Sequence, residues 1–158
     1  MEKLSLILWR ERELLETLLF KLEVEQLVMA TGRTRWLLPA AKEVETVLET
    51  IRQTEMLRAV AADEAAGQLG LPPNPSLRAL AETAAEPWAS ILADHREAFA
   101  SITTEVTAMA DANRELVTAG IRSARETLMT LGESTAGYSA DGSAVTGPAR
   151  HRLVDRSL

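Results

Sequence analysis

The chain has 158 residues, of which 46% are hydrophobic, 4% aromatic and 25% charged, so it suits one domain with a substantial core. The net charge of −6 disfavours nucleic acid as a partner, and the absence of cysteine excludes disulfides and cysteine-based zinc sites. Apolar runs are far shorter than the roughly 20 residues that cross a bilayer, and the charged start Met1-Glu2-Lys3 lacks a signal-peptide core. We therefore expect a cytoplasmic protein without membrane insertion.

The abundance of Ala and Leu favours helix throughout, and the first helix is predicted over about residues 3–30, with Gly32 as its terminator. Its apolar stripe recurs at helical spacing and comprises Leu4, Ile7, Leu8, Leu14, Leu15, Leu18, Leu19, Leu22 and Met29. A weaker apolar line lies nearly opposite and comprises Leu6, Trp9, Phe20, Val24 and Leu27. We interpret this line as the packing of a central helix against neighbours on two sides. The alternative is a second contact surface for self-association or for a partner.

A second helix is predicted from Trp36 or Leu37, with Pro39 in its first turn, to the stretch 67–70. Its stripe comprises Leu37, Ala41, Val44, Leu48, Ile51, Ala59, Ala62 and Ala66. If the first two helices form an antiparallel hairpin about Gly32, Glu11 comes level with Glu55 and Arg58. These side chains then either form a charge-paired layer that fixes the register of the helices, or extend to solvent at the edge of the seam.

A short helix is predicted from Pro75, capped by Asn74, to about Ala85. The long helix that follows begins on either side of Pro87, because Thr83 and Glu86 have capping-box spacing, so the two helices are either separate or one kinked helix. The long stripe comprises Trp88, Leu92, Phe99, Ile102, Val106, Met109, Leu116, Val117, Ile121, Ala124, Leu128 and Leu131. Gly132 is the predicted C-terminal cap.

Together these elements predict an all-α antiparallel bundle of three long helices with one short connecting helix, over residues 1–132. Residues 133–158 are rich in Gly, Ser, Ala and Thr and are predicted to form a disordered, flexible tail. At 1.5 Å per residue the long helix would span roughly 67 Å, against about 42–45 Å for each of the first two. The C-terminal end of its stripe would then lie uncovered, which usually marks an interaction site.

Catalysis is not expected, because the two histidines lack the spacing of a metal or hydrolase site. Neither His95 nor His151 follows a glutamate by three residues, and neither His-Glu-x-x-His nor a phosphate-binding loop is present. We expect His95 to be a bundle histidine that is hydrogen-bonded to a neighbour. The sequence therefore predicts a protein that is not an enzyme and has no cofactor, no metal site and no catalytic residues.

Three segments carry a family resemblance over about residues 5–143. The run of residues 14–23 (LLETLLFKLE) and the run 41–48 (AKEVETVL) are similar to the first and second helices of the FlgN-type flagellar export chaperones. The order of Asn113-Arg114-Glu115-Leu116, an amphipathic segment and then Tyr138-Ser139-Ala140-Asp141-Gly142 resembles the C-terminal part of that family. The stretch from Ser143 to Leu158, with Arg150, His151, Arg152 and Arg156, departs from the family pattern and has no assigned role.

The resemblance implies a cytoplasmic chaperone that binds the amphipathic terminal segment of flagellar hook-associated proteins, its clients, and delivers them to the flagellar type III export gate. The residues expected to contact these partners are Asn113, Leu116, Val117, Ile121, Ala124, Leu128, Leu131 and Tyr138, the last as a contact with the export apparatus. An apolar stripe without a partner suits helix-in-groove binding of such a segment. The identity of the client stays open, and we expect a monomer or a weak homodimer. The alternative is a coiled-coil adaptor, or a self-assembling structural protein, that uses the same stripe for homodimerisation.

Overall fold

A computed structural model describes the backbone of residues 1–136 and the side chains of residues 1–132. The described part is helical: α1 (Glu2–Ala30), a single 3-10 turn (Thr34–Trp36), α2 (Leu37–Leu69), the short α3 (Leu77–Thr83) and α4 (Trp88–Ala136). The all-α fold of three long packed helices and one short connecting helix is thus confirmed. The chain divides into a first unit, Met1–Val117, and a second unit that begins at Thr118. The predicted domain division after residue 132 stays a prediction.

The first two helices form the predicted antiparallel hairpin. Three ion pairs join them, Lys3 to Glu64 at 2.8 Å, Glu11 to Arg58 at 3.3 Å and Lys21 to Glu43 at 2.6 Å, so the position on α2 falls as the position on α1 rises. The turn between them depends on Gly32, whose φ of 66° lies in the left-handed region that only glycine adopts without strain. The helices therefore pair as the sequence predicts.

The core of the first unit consists of two clusters along the bundle. The first cluster joins all four helices and contains Leu4, Leu8, Ala61, Ala65, Ala66, Leu80 and Leu92. The second cluster, further along the hairpin, contains Leu14, Leu18, Leu22, Val44 and Ile51, with Val106, Met109 and Ala110 of α4 packed against it. Each fully buried leucine stabilises the fold by about 1.5–3 kcal/mol relative to an exposed one. Both clusters hold the first part of α4 against the hairpin.

The ends of the short helix differ from the prediction. Ser76, not Asn74, is the N-cap of α3, because its hydroxyl accepts a hydrogen bond from the N–H of Ala79 at 3.1 Å. Asn74 instead has a φ of 56° and donates its backbone N–H to the Asp63 carboxylate at 2.6 Å. Since α3 ends at Thr83 and α4 begins only at Trp88, the two helices are separate. Thr83 is therefore the last residue of α3 and not the N-cap of the long helix.

The predicted end of the long helix is also wrong. α4 continues through Gly132 to Ala136, so residues 133–136 are helical and Gly132 is not a cap. A helical glycine costs only about 1 kcal/mol relative to alanine, and no proline follows at once to stop the helix. By contrast, the prediction for α2 is confirmed: Gly70 ends it in the left-handed conformation, at a φ of 71°. The remainder of the predicted tail, residues 137–158, lies outside the described residues.

Candidate functional site

Asn113 closes the stripe through which α4 packs on α1. Its side chain is 5% exposed, and its Nδ2 donates to the backbone oxygen of Leu22 at 2.9 Å and to the Glu25 carboxylate at 3.1 Å. Its Oδ1 is buried and accepts no hydrogen bond from the described residues. The sequence assigned Asn113 to partner contact, whereas the structure places its amide in the contact between α1 and α4.

The turn after Asn113 is the first at which α4 exposes large apolar side chains. Leu116 is 38% exposed and Val117 is 44% exposed, both within the first unit. Neither residue belongs to the two core clusters. This exposure agrees with the sequence prediction that the C-terminal part of the apolar stripe of α4 is not covered by the other helices.

The second unit carries an exposed apolar face of its own. Ile121 is 50% exposed, Leu128 is 68% exposed and Leu131 is 56% exposed, and Ala124 is exposed as well. Their spacing of three and four residues places all four on one face of the helix. We call these four residues the client face, after the partner contact that the sequence analysis expects of them. Met129, 68% exposed, lies beside it and was not predicted, because it falls outside the strict stripe.

Tyr138, the last predicted contact residue, lies outside the described residues. Its assignment to the export apparatus is therefore an expectation from the sequence alone.

Of the three residues in the predicted charged layer between α1 and α2, Glu11 and Arg58 form an ion pair, whereas Glu55 is exposed. Glu11 is 4% exposed, and its Oε1 lies 3.3 Å from Nη1 of Arg58. Its other oxygen is buried without a hydrogen bond. Burial raises the pKa of Glu11; the charge of Arg58 opposes this and that of Glu55 adds to it. The pair joins the hairpin between its two core clusters.

The expectation that His95 is hydrogen-bonded is wrong. Its side chain is 1% exposed, and neither ring nitrogen has a hydrogen-bond partner among the described residues. The ring lies edge-on to Trp9, with centroids 5.0 Å apart, and stacks on Phe99 at 6.3 Å. Burial lowers the pKa of His95, the charge of Arg12 lowers it further and Asp94 opposes the change. His95 is thus an aromatic core residue, because its neighbours are rings.

The second apolar line of α1 is a surface and not a second packing face. Leu6, Trp9, Phe20 and Leu27 are each more than half exposed and Val24 is half-buried, so the interpretation of α1 as a helix covered on both sides is wrong. The three-helix packing covers a narrower arc of α1 than the sequence suggested. Among these residues, Trp9 contacts another helix through His95.

Comparison with known proteins decides the family. The family model described as FlgN protein matches residues 1–146. The chain belongs to the FlgN family. No curated protein and no solved structure matches it significantly.

Membership of the FlgN family relates the exposed stripe to proteins that bind other proteins. The family comprises flagellar export chaperones for hook-associated proteins and not enzymes, which confirms the sequence prediction on both points. The matched range includes every residue that the sequence assigned to partner contact. Within the part of the chain that the structure describes, no group of acidic, histidine or cysteine side chains could hold a metal ion. No described helix is both long and apolar enough to span a membrane.

Proposed function

We propose that this FlgN-family chain is a cytoplasmic chaperone that holds the amphipathic terminal segment of a hook-associated protein on the client face of α4 and delivers it to the export gate. The observation that carries the proposal is the exposure of Ile121, Leu128 and Leu131 on one helix face. Leu116 and Val117, exposed at the end of the first unit, are proposed as further partner contacts. In this account Asn113 is a positioning residue, since its amide is bonded to α1.

The client face is large enough for a reversible complex. Each aliphatic side chain that becomes fully buried gains about 1.5–3 kcal/mol, and ordering a disordered segment costs about 2–5 kcal/mol of the gross interaction. A micromolar complex requires about −8 kcal/mol. Several half-exposed anchors must therefore act together, and the loss of two should reduce binding severely.

The central test is the double variant Ile121→Asp with Leu128→Asp in the full chain. We expect affinity for a hook-associated protein of the same organism, measured by calorimetric titration, to fall at least about 100-fold, because two apolar anchors are lost and two charges are desolvated. Circular dichroism should show retained helicity, since both side chains are at least half exposed.

A matched control is available on α2. Met56 and Val60 are 65% and 56% exposed, so Met56→Asp with Val60→Asp introduces the same charges at equally exposed apolar positions. This control should bind the client like the unchanged chain. Undiminished binding by the α4 double variant, or an equal loss in the α2 control, would contradict the proposed site.

Tyr138 is proposed to act after client binding, at the export apparatus. The change Tyr138→Ala should leave the calorimetric affinity for the client unchanged and should reduce the amount of client exported by cells. Equal export by mutant and wild-type cells would remove Tyr138 from the mechanism.

Oligomeric state separates the chaperone from the adaptor alternative. We propose a monomer or weak homodimer, which light scattering of the pure chain measures directly. A stable dimer that dissociates on Ile121→Asp with Leu128→Asp would favour homodimerisation through the client face instead.

A further inference from the structure

The two edges of the client face carry different chemistry, and this difference indicates what the bound segment looks like. We propose that the client segment is an amphipathic helix with carboxylate side chains along one edge, and that these meet Arg122 and Arg125. The proposal rests on the proposed function, since it takes the client face as the binding site. It adds the charge pattern that a segment needs in order to bind there.

One edge of the client face is basic. At about 100° per residue, Arg125 lies about 60° from Leu128 on the helix surface, and Arg122 lies about 60° further round on the same side, from where its long side chain can reach a bound helix. Both arginines are exposed, and neither forms an ion pair with a described residue. Met129 continues this edge. Between Ile121 and Leu131 the only acidic residue is Glu126, which lies on the side of the helix opposite the client face.

The other edge is uncharged and small, and is formed by Gly120, Ser123, Thr127 and Thr130. The hydroxyl of Thr127 donates to the Ser123 carbonyl oxygen at 2.9 Å, and that of Thr130 donates to the Glu126 carbonyl oxygen at 3.0 Å. These hydroxyls are satisfied within the helix and require no partner. Apart from adjacent residues and the backbone of the same helix, no heavy atom of the described residues lies within 4 Å of the position of a Cβ on Gly120, so this edge leaves room for a closely packed helix.

Exposed arginines at the edge of an apolar seam select partners by charge. A guanidinium binds a carboxylate through two parallel hydrogen bonds, and charges that flank a helical seam set the choice and orientation of the partner. The whole chain carries 23 acidic and 17 basic side chains, so its net charge is negative whereas this edge is positive. An acidic segment is therefore repelled by the chain as a whole and attracted at this edge, which favours placement on the client face over other apolar surfaces.

A second copy of the chain does not supply the missing carboxylates. In an antiparallel pair of client faces the two arginine edges would face each other and repel. In a parallel pair each arginine edge would face the uncharged edge of the other copy. The chemistry of both edges thus fits a different molecule, with acidic residues on one side of its apolar stripe.

The experiment uses the full chain and two synthetic helical peptides with an identical leucine and alanine stripe. One peptide carries glutamate along both edges of the stripe and the other carries lysine there. We expect the glutamate peptide to bind about tenfold more tightly at low salt, and the difference to shrink near 1 M salt, where charges are screened within about 3 Å. Arg122→Glu with Arg125→Glu should reverse the preference.

The matched control reverses two exposed arginines in the turn between α1 and α2. Arg33→Glu with Arg35→Glu changes the net charge equally and should keep the preference for the glutamate peptide. An equal reversal in this control would show a general charge effect and would overturn the proposal.

The authentic client separates this proposal from the proposed function. A chain that binds a hook-associated protein but does not prefer the glutamate peptide, including one that binds neither peptide, would overturn the acidic-edge proposal and leave the client face standing. Client binding that survives Ile121→Asp with Leu128→Asp would instead overturn the client face itself. If both proposals hold, Arg122→Glu with Arg125→Glu should lower affinity for the hook-associated protein about tenfold or more.

Discussion

Two parts of one helix share an apolar pattern and differ in what covers it. In the first unit, α4 buries Leu92 and His95 and packs Val106 and Met109 against the hairpin. In the second unit, the same three- and four-residue spacing leaves Ile121 and Leu128 exposed. Periodicity therefore identifies the apolar face of a helix, whereas only tertiary structure tells whether that face is core or surface. Substitutions in the covered and the exposed parts should therefore differ in their effect on stability.

The largest expected difference is between the same substitution in the two parts of α4. Leu92→Asp places a charge in the core and should lower the free energy of unfolding by more than about 4 kcal/mol or prevent folding. Leu128→Asp should change it by less than about 0.5 kcal/mol, because the side chain is 68% exposed. Urea denaturation followed by circular dichroism measures both. Similar losses in the two variants would show that the second part is also core.

Asn113 marks the end of the covered part, and its substitution sharpens the boundary. Asn113→Ala removes the hydrogen bonds to Leu22 and Glu25 and should lower the free energy of unfolding by about 1–3 kcal/mol. Client affinity at a temperature where the variant is folded should stay within about twofold. The opposite result, unchanged stability with lost client binding, would support the sequence prediction that Asn113 contacts the partner.

The Glu11–Arg58 pair tests the hairpin that covers the first part. Arg58→Ala should cost about 1–2 kcal/mol at pH 7, less than the 3–5 kcal/mol of a fully buried pair, because the Arg58 side chain is 40% exposed. Glu11→Gln should cost less, since it also removes the desolvated charge. The raised pKa of Glu11 means that the folded chain binds this proton more tightly than the unfolded chain. The contribution of Glu11 to stability therefore falls as the pH rises from below 4.5 through the raised pKa.

Denaturation curves across this pH range check the sign, and Glu11→Gln should remove that part of the slope. A steeper rise of stability with pH in the unchanged chain than in this variant would contradict the assignment.

His95 should show the smallest effect, with the opposite pH dependence. Its pKa is lowered on folding, so the unfolded chain binds the proton more tightly and stability falls as the pH drops below 6.5 toward the lowered pKa. His95→Leu should remove this loss and change stability at pH 7.5 by about 1 kcal/mol or less. Thermal melts at pH 7.5 and pH 5.5 compare the two chains. A variant that loses as much stability on acidification as the unchanged chain would assign the effect to another group.

The long helices and their pairing could be predicted because they follow from local signals. Leucine spacing identified α1, Gly32 and Gly70 ended α1 and α2, and the hairpin brought Glu11 level with Arg58. The cap of α3 could not be predicted, because Asp63, distant in sequence, accepts the N–H of Asn74 and leaves Ser76 as the cap. Local composition likewise suggested a stop at Gly132 that the helix passes through.

The candidate site could be predicted in outline and not in its limits. The stripe from Leu116 to Leu131 is visible in the sequence, and its large apolar side chains are exposed. The burial of Asn113, the aromatic surroundings of His95 and the exposure of Leu6 and Phe20 depend on how wide an arc of each helix its neighbours cover. The width of that arc depends on how the helices pack together, so the spacing of apolar residues within one helix does not reveal it.

Hydrogen–deuterium exchange of the full chain, with and without a saturating hook-associated protein, tests whether the client binds to the exposed part of α4. Backbone amides of an exposed helix open more readily than those of a packed one, and a bound segment slows their exchange. We predict that client binding slows exchange at least about tenfold in peptides covering residues 116–132, and leaves peptides covering residues 54–62 of α2 unchanged. Protection confined to the first unit before Asn113, with none over residues 116–132, would contradict the assignment of the client face.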